Sequence, residues 1–194
     1  MSNFIQLVVA TKCSVVCASY MVTVSNPFGL WLTPDLEQLN ERSALFHEQF
    51  MLEAALYYPE QRAFIVSVDD KRPNQVCSNI VFGIDDDPKG SLVDAYKNAF
   101  ALVNRQDDVD AVIVPLYRGN DTELEFRARV SQLAVVLRAY RELSGERRRI
   151  RRICLLVESI AVYDQALRSL GDLVANPRTR HGAFPHNRHN SHVG

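Results

Sequence analysis

Apolar residues recur along this chain with two different periods. Phe4 to Thr11 (FIQLVVAT) and Ala18 to Ser25 (ASYMVTVS) are short, rich in β-branched and aromatic residues, and predict strands. Ser25-Asn26-Pro27-Phe28-Gly29 ends the second, because proline brings no N–H and Asn, Pro and Gly favour turns. From about Asp35 to Tyr58 the spacing becomes helical, with Leu36, Leu39, Phe46, Phe50 and Ala54 on one stripe and Leu45, Leu52 and Leu56 beside it. Thr33-Pro34 suits the start of that helix, and Pro59 closes it.

Ala63 to Val68 predicts a third strand and Val76 to Ile84 a fourth, around a polar loop at Asp69 to Asn74. Asp85 to Gly90 is loop by composition. Ser91 and Asp94 then have capping-box spacing for a helix that buries Leu92, Tyr96, Ala99, Phe100 and Val103. Ala111 to Pro115 (AVIVP) is short and continuously apolar, as in a strand buried on both faces. A long helix is expected from about Asp121 to Leu143, capped by Thr122 and Glu125, with Phe126, Val130, Leu133, Leu137 and Tyr140 turned inward. Ile153 to Val157 predicts the last strand, and Ser159 caps a final helix to about Val174.

The order β-β-α-β-β-α-β-α-β-α predicts an α/β fold: a mixed, mostly parallel sheet of about six strands with helices on both faces. Residues 1–176 are expected to form one domain. Residues 177–194 have almost no apolar content to offset the entropy of ordering, and are expected to form a disordered tail containing His and Arg.

Composition narrows the setting. Twenty-two basic and 23 acidic residues give a net charge of −1, so no global field draws the protein to nucleic acid or an anionic membrane. No stretch approaches the roughly 20 apolar residues of a membrane span. The cysteines, Cys13, Cys17, Cys77 and Cys154, form no Cys-x-x-Cys pair; three lie in or beside strand-like segments, where reduced buried thiols are expected. A reducing, cytoplasmic setting follows as the expectation. No metal site or cofactor is expected: Asp69-Asp70 and Asp85 to Asp87 lack the ligand alternation of a calcium loop, and His47 has no Ser or Cys beside it to suggest a catalytic pair.

Two segments carry a family resemblance. Ala111 to Leu143 (AVIVPLYRGNDTELEFRARVSQLAVVLRAYREL) is similar to the strand, glycine-containing phosphate loop and long helix of a macro domain, and RRICLLVESIAVYDQAL resembles the strand and last helix that follow. VTVSNPFG and NIVFGIDDDP are weaker echoes of two earlier strands, so the resemblance runs over roughly Phe4 to Val174. It implies a three-layer macro-like sandwich and a cleft for ADP-ribose, with Asn26, Gly29, Arg118, Gly119 and Asn120 as candidate ligand-binding residues.

The sequence departs from that family where the ligand would be held. No carboxylate stands near Thr11-Lys12 to hold an adenine. The stretch matching the glycine-rich first loop, Asn26 to Thr33, has one glycine and carries Phe28, Leu30 and Trp31, where a phosphate cradle needs close backbone approach. Asp121, Glu123 and Glu125 crowd the long helix's first turn with negative charge, with Arg118 as the nearest relief. The expected function is therefore a divergent, non-catalytic module that binds protein or RNA. The alternative is an ADP-ribose or nucleotide-binding module, or an ADP-ribosyl hydrolase, with a rearranged first loop. Arg147, Arg148, Arg149, Arg151 and Arg152 are the candidate interaction surface; the competing expectation for them is a solvated link between helix and strand.

Overall fold

A computed structural model describes residues 5–9, 19–24, 44–57, 60–67, 79–84, 91–107, 109, 111–116, 121–143 and 148–174. In chain order the elements are β1 (Ile5–Val9), β2 (Ser19–Val24), α1 (Ala44–Tyr57), β3 (Ala63–Ser67), β4 (Asn79–Ile84), α2 (Val93–Val103), β5 (Ala111–Pro115), α3 (Glu123–Glu142), β6 (Arg152–Val157) and α4 (Ile160–Leu170), with a 3-10 turn at Gly171–Leu173. The α/β expectation holds.

The strands lie in the order β1-β6-β5-β2-β4-β3. β1, β6 and β5 form a parallel trio, with Leu7 beside Leu155 and Val114 beside Leu155 on its other side. β2 and β4 are parallel along their whole length, and β3 closes that side as the antiparallel partner of β4. The two halves join at β2 and β5 through Ser19↔Val112 and Tyr20↔Ile113.

Alternation along each strand sorts the side chains into two layers. Ile5, Leu7, Met21, Val81, Val112, Val114, Ile153, Leu155 and Val157 belong to one buried cluster with Tyr96, Phe100 and Val103 of α2, Phe126 to Tyr140 of α3, and Val162, Ala166 and Leu170 of α4. Gly83 lies on this face because there is no room for more: a Cβ there would stand 2.4 Å from the Ala95 carbonyl oxygen. The opposite face of β3 and β4 presents Phe64 and Phe82, stacked at 5.2 Å, to Phe50 of α1, whose ring centroid is 4.8 Å from that of Phe82. Each of these fully buried phenylalanines contributes about 1.5–3 kcal/mol by leaving water.

The helix starts differ in origin. α3 carries the expected capping box, and Ser159 accepts from the Val162 N–H at 3.3 Å to begin α4. At α2 the expected Ser91/Asp94 box is absent. The N-cap is Leu92, which makes no side-chain cap; its own N–H donates to Gln132 Oε1 of α3 at 2.6 Å, while Ser91 Oγ reaches the Val93 N–H only at 3.4 Å. A donor satisfied by a neighbouring helix removes the need for a local acceptor.

α1 departs from its expected stripe. Phe50 and Ala54 are buried, but Leu52 and Leu56, expected beside them, are 59% and 64% exposed. At 100° per residue they fall on the side opposite Phe50 and Ala54. The earlier part of the predicted helix, residues 35–43, lies outside the described residues, as does the expected tail. Cys154 is a buried free thiol; Cys13, Cys17 and Cys77 lie outside the described residues.

Candidate functional site

The sheet has a topological switch point between β2 and β5. From β2 the chain proceeds to α1 and β3 on the β4 side; from β5 it proceeds through α3 to β6 on the other side. Two adjacent parallel strands whose connections diverge leave a crevice beyond their carboxyl ends, the usual ligand position in open α/β sheets. Val24 and Pro115 are those ends. The candidates Asn26 and Gly29 follow the first, and Arg118, Gly119 and Asn120 follow the second; all five lie outside the described residues.

Beyond the β5 end, the described chain resumes at the start of α3, which carries the chain's own acidic groups. Thr122 Oγ1 accepts from the Glu125 N–H at 3.3 Å, and Glu125 Oε2 accepts from the Thr122 N–H at 2.8 Å and hydroxyl at 2.7 Å. Hydrogen bonds from the Thr122 backbone and then its side chain hold the Glu125 carboxyl below the ordinary glutamate value. Asp121, immediately before, pairs with Arg129 at 2.5 Å, and Glu123 lies 3.7 Å from Arg168. Arg129 in turn sits over the Phe126 ring, 5.6 Å from its centroid. A helix start is normally attractive to anions because its N–H groups and dipole are unsatisfied. Here a carboxylate takes that role. Like charge at this helix start disfavours an incoming phosphate, although Arg129 and Arg168 offset part of it.

The arginine-rich approach to β6 lies at the opposite, amino-terminal end of the parallel strands. Two of these arginines contact neighbouring elements while staying at the surface, as a solvated link would. Arg149 forms an ion pair with Asp107, and its backbone N–H donates at 2.8 Å to Asn104 Oδ1 at the end of α2. The same Asn104 oxygen accepts from the Tyr140 hydroxyl of α3. Arg148 reaches the Arg141 carbonyl at 3.4 Å. Between them and the strand, Ile150 is fully buried. Arg152 is itself the first residue of β6, beside Ala111 of β5. The side chains of Arg151 and Arg152 are exposed, with no ion pair among the described residues; Arg147 lies outside them.

Burial pushes the Tyr140 hydroxyl above the ordinary tyrosine value, opposed by a hydrogen bond from the Ile150 backbone and by the charge of Arg148. This Tyr140–Asn104–Arg149 junction was not legible in the sequence, since Asn104 lies 36 and 45 positions from its partners and no local pattern joins them. Among the described residues no group of His, Cys, Asp and Glu could hold a metal ion, and no helix is long and apolar enough to cross a membrane.

No family model matches the chain, and a search of curated proteins finds no match either.

Proposed function

We propose that the chain is a divergent macro-like domain, a three-layer sandwich around a sheet of about six strands, that acts as a non-catalytic binding module for a protein or RNA partner. The observation that carries this reading is the self-capped start of α3. Thr122 and Glu125 satisfy each other's backbone donors, and Asp121 is held by Arg129, so the place where the macro family holds phosphate presents carboxylates instead. The first-loop sequence Asn26 to Thr33, with one glycine among bulky apolar residues, supports the same reading. The working surface in this reading is the arginine edge, where Arg151 and Arg152 are exposed and Arg149 and Ile150 hold the backbone in place.

Isothermal titration of ADP-ribose into the purified protein tests the reading. No saturable heat is expected up to millimolar ligand. Saturable binding that Gly119→Glu weakens would overturn it. One feature favours that second outcome, an ADP-ribose or nucleotide-binding module with a rearranged first loop: the switch point between β2 and β5 is where a nucleotide would bind. In that case Asn26, Gly29, Arg118, Gly119 and Asn120 would line the cleft.

A further inference from the structure

β2, β4, β5 and β6 are parallel, so their starts lie at one end of the sheet, and α2 and α3 both finish there. Separate stretches of chain bring arginine to that end. Arg105 follows α2, Arg141 lies in the last turn of α3, Arg148 and Arg149 approach the strand, and Arg151 and Arg152 begin β6. They are neighbours in space: Arg149 Nη1 lies 3.5 Å from the Arg105 carbonyl oxygen, and Arg148 Nη1 lies 3.4 Å from that of Arg141. The described carboxylates at this end are Asp107, Glu142 and Asp172; the first pairs with Arg149 and the last with Arg141. The backbone beneath the outermost pair is fixed. Asn104 Oδ1 holds the Arg149 N–H at 2.8 Å, Ile150 is fully buried, and Arg152 enters the ladder beside Ala111. Arg151 and Arg152 are therefore exposed guanidinium groups on a rigid base, which lowers the ordering cost of a contact.

Three features narrow the ligand. Ile153 turns into the core with α2, α3 and α4, so by alternation Arg152 turns to the opposite face of the sheet. Arg151 and Arg152 diverge and cannot close together on one phosphate, which favours a chain of anions over a single one. The exposed large apolar side chains lie elsewhere, Leu52 and Leu56 on α1, Leu124 and Ile160 at the starts of α3 and α4. Among the described residues only Leu143, 38% exposed, lies at this end. A protein partner would need an apolar centre to its interface. The aromatic rings nearest the arginines, Phe100 and Tyr140, are buried and offer no platform on which unpaired bases could stack.

We infer that this end of the sheet binds the phosphodiester backbone of a nucleic-acid duplex, with Arg151 and Arg152 on separate phosphates and Asn104 as the residue that positions their approach. The inference rests on the reading of the arginine edge as the working surface, and it names the chemistry of the partner. Guanidinium–phosphate contacts fix a protein on a duplex without reading its sequence. Asp108 and Asp110 precede β5 in the chain, so the local field is modest and binding is strongest at low ionic strength.

Fluorescence anisotropy of labelled RNA and DNA duplexes of mixed sequence, titrated with the full chain, tests this. Saturable binding is expected at about 50 mM salt, weakening about 10- to 40-fold by about 200 mM as two or three phosphates regain their counterions. Arg151→Gln and Arg152→Gln should each cost about tenfold in affinity at about 50 mM salt and lower the salt slope by about 1. The Lys replacements should keep the slope. Asn104→Ala leaves every charge in place, so it should weaken binding with the slope unchanged. Far-ultraviolet circular dichroism confirms that each variant is folded. The tighter of the two duplexes identifies the source of the backbone, and binding of either supports the inference. Tighter binding of a single strand than of both duplexes overturns it, as does equal affinity for an acidic peptide of matched charge. Binding that survives Arg151→Gln with Arg152→Gln, or that ADP-ribose displaces, also overturns it. No binding at about 50 mM salt overturns it while leaving a protein partner standing, and the ADP-ribose titration decides the reading of the cleft separately.

Discussion

Gly83→Ala should be among the most damaging small substitutions in this protein, because the added atom meets backbone. The new Cβ would lie 2.4 Å from the Ala95 carbonyl oxygen, 3.0 Å from the Ala95 carbonyl carbon and 3.2 Å from Ala99 Cβ. Ordinary contact begins near 3.4 Å, so α2 must retreat by about 1 Å. No side-chain rotation can relieve this, since both Ala95 atoms belong to the helix itself. The same helix carries Tyr96, Phe100 and Val103 into the core, all at 4% exposure or less. A gap of 0.5–1 Å along a packed surface forfeits about a quarter to a half of each dispersion contact. Adding the strain of overpacking, the expected cost is about 2–4 kcal/mol. In urea that is a midpoint lowered by roughly 1–2 M with an unchanged slope, and in a thermal melt a loss of roughly 5–15 °C. Gly171→Ala is the matched control. Gly171 has φ of +53° and ψ of −120°, a region that favours glycine, but nothing within 4 Å of its would-be Cβ, so its cost of about 1–3 kcal/mol is backbone strain alone. If Gly83→Ala lies within about 0.5 kcal/mol of the parent, the close packing of α2 on β4 is refuted.

Thr122→Ala removes the hydroxyl half of the α3 capping box and should cost about 1 kcal/mol in urea denaturation, while Thr122→Ser should be nearly neutral. The carboxyls of Glu125 and Asp172 are both held below their ordinary values, the first by Thr122 and the second by a hydrogen bond from Arg141. A depressed carboxylate stabilises the fold above its unfolded value and loses that contribution as pH falls through its folded value. Stability followed by urea midpoint should therefore decline below about pH 4.5, and less steeply in Thr122→Ala than in the parent. Tyr140 has the opposite sign. Its raised value means that the hydroxyl ionises more readily in the unfolded chain, so stability should be level below about pH 10 and fall above it, and Tyr140→Phe should flatten that alkaline limb. At neutral pH Tyr140→Phe should cost about 1 kcal/mol, since Asn104 keeps the Arg149 N–H as a donor.

Local chemistry accounts for what was legible in the chain. Ala111 to Pro115 is a strand with the predicted limits, because a short apolar run next to proline has few other uses. α3 forms where its cap and its 3.6-residue stripe agree: Phe126, Val130, Leu133, Leu137 and Tyr140 are all buried, and Thr122 and Glu125 close the box. Ser159 starts α4 for the same local reason. Half of the candidate site was also legible, since the acidic residues that crowd the start of α3 lie within five positions of one another.

The remainder depended on partners distant in the chain. Ser91 and Asp94 have capping spacing, yet Gln132 of α3 satisfies the Leu92 N–H, and no local pattern encodes a side chain brought in from another helix. Leu52 and Leu56 share the apolar character of Phe50 and Ala54, and the position of the Phe64–Phe82 stack decides which of them is covered. The arginines before β6 are alike in sequence. Asn104 and Asp107 engage Arg149, while Arg151 and Arg152 extend into solvent. By itself the sequence determined which segments become strands and helices, because dihedral preference, capping and hydrophobic period act over a few residues. Tertiary structure decided which faces are buried and which donors are already satisfied, because those outcomes depend on contacts that the chain makes only after it has folded.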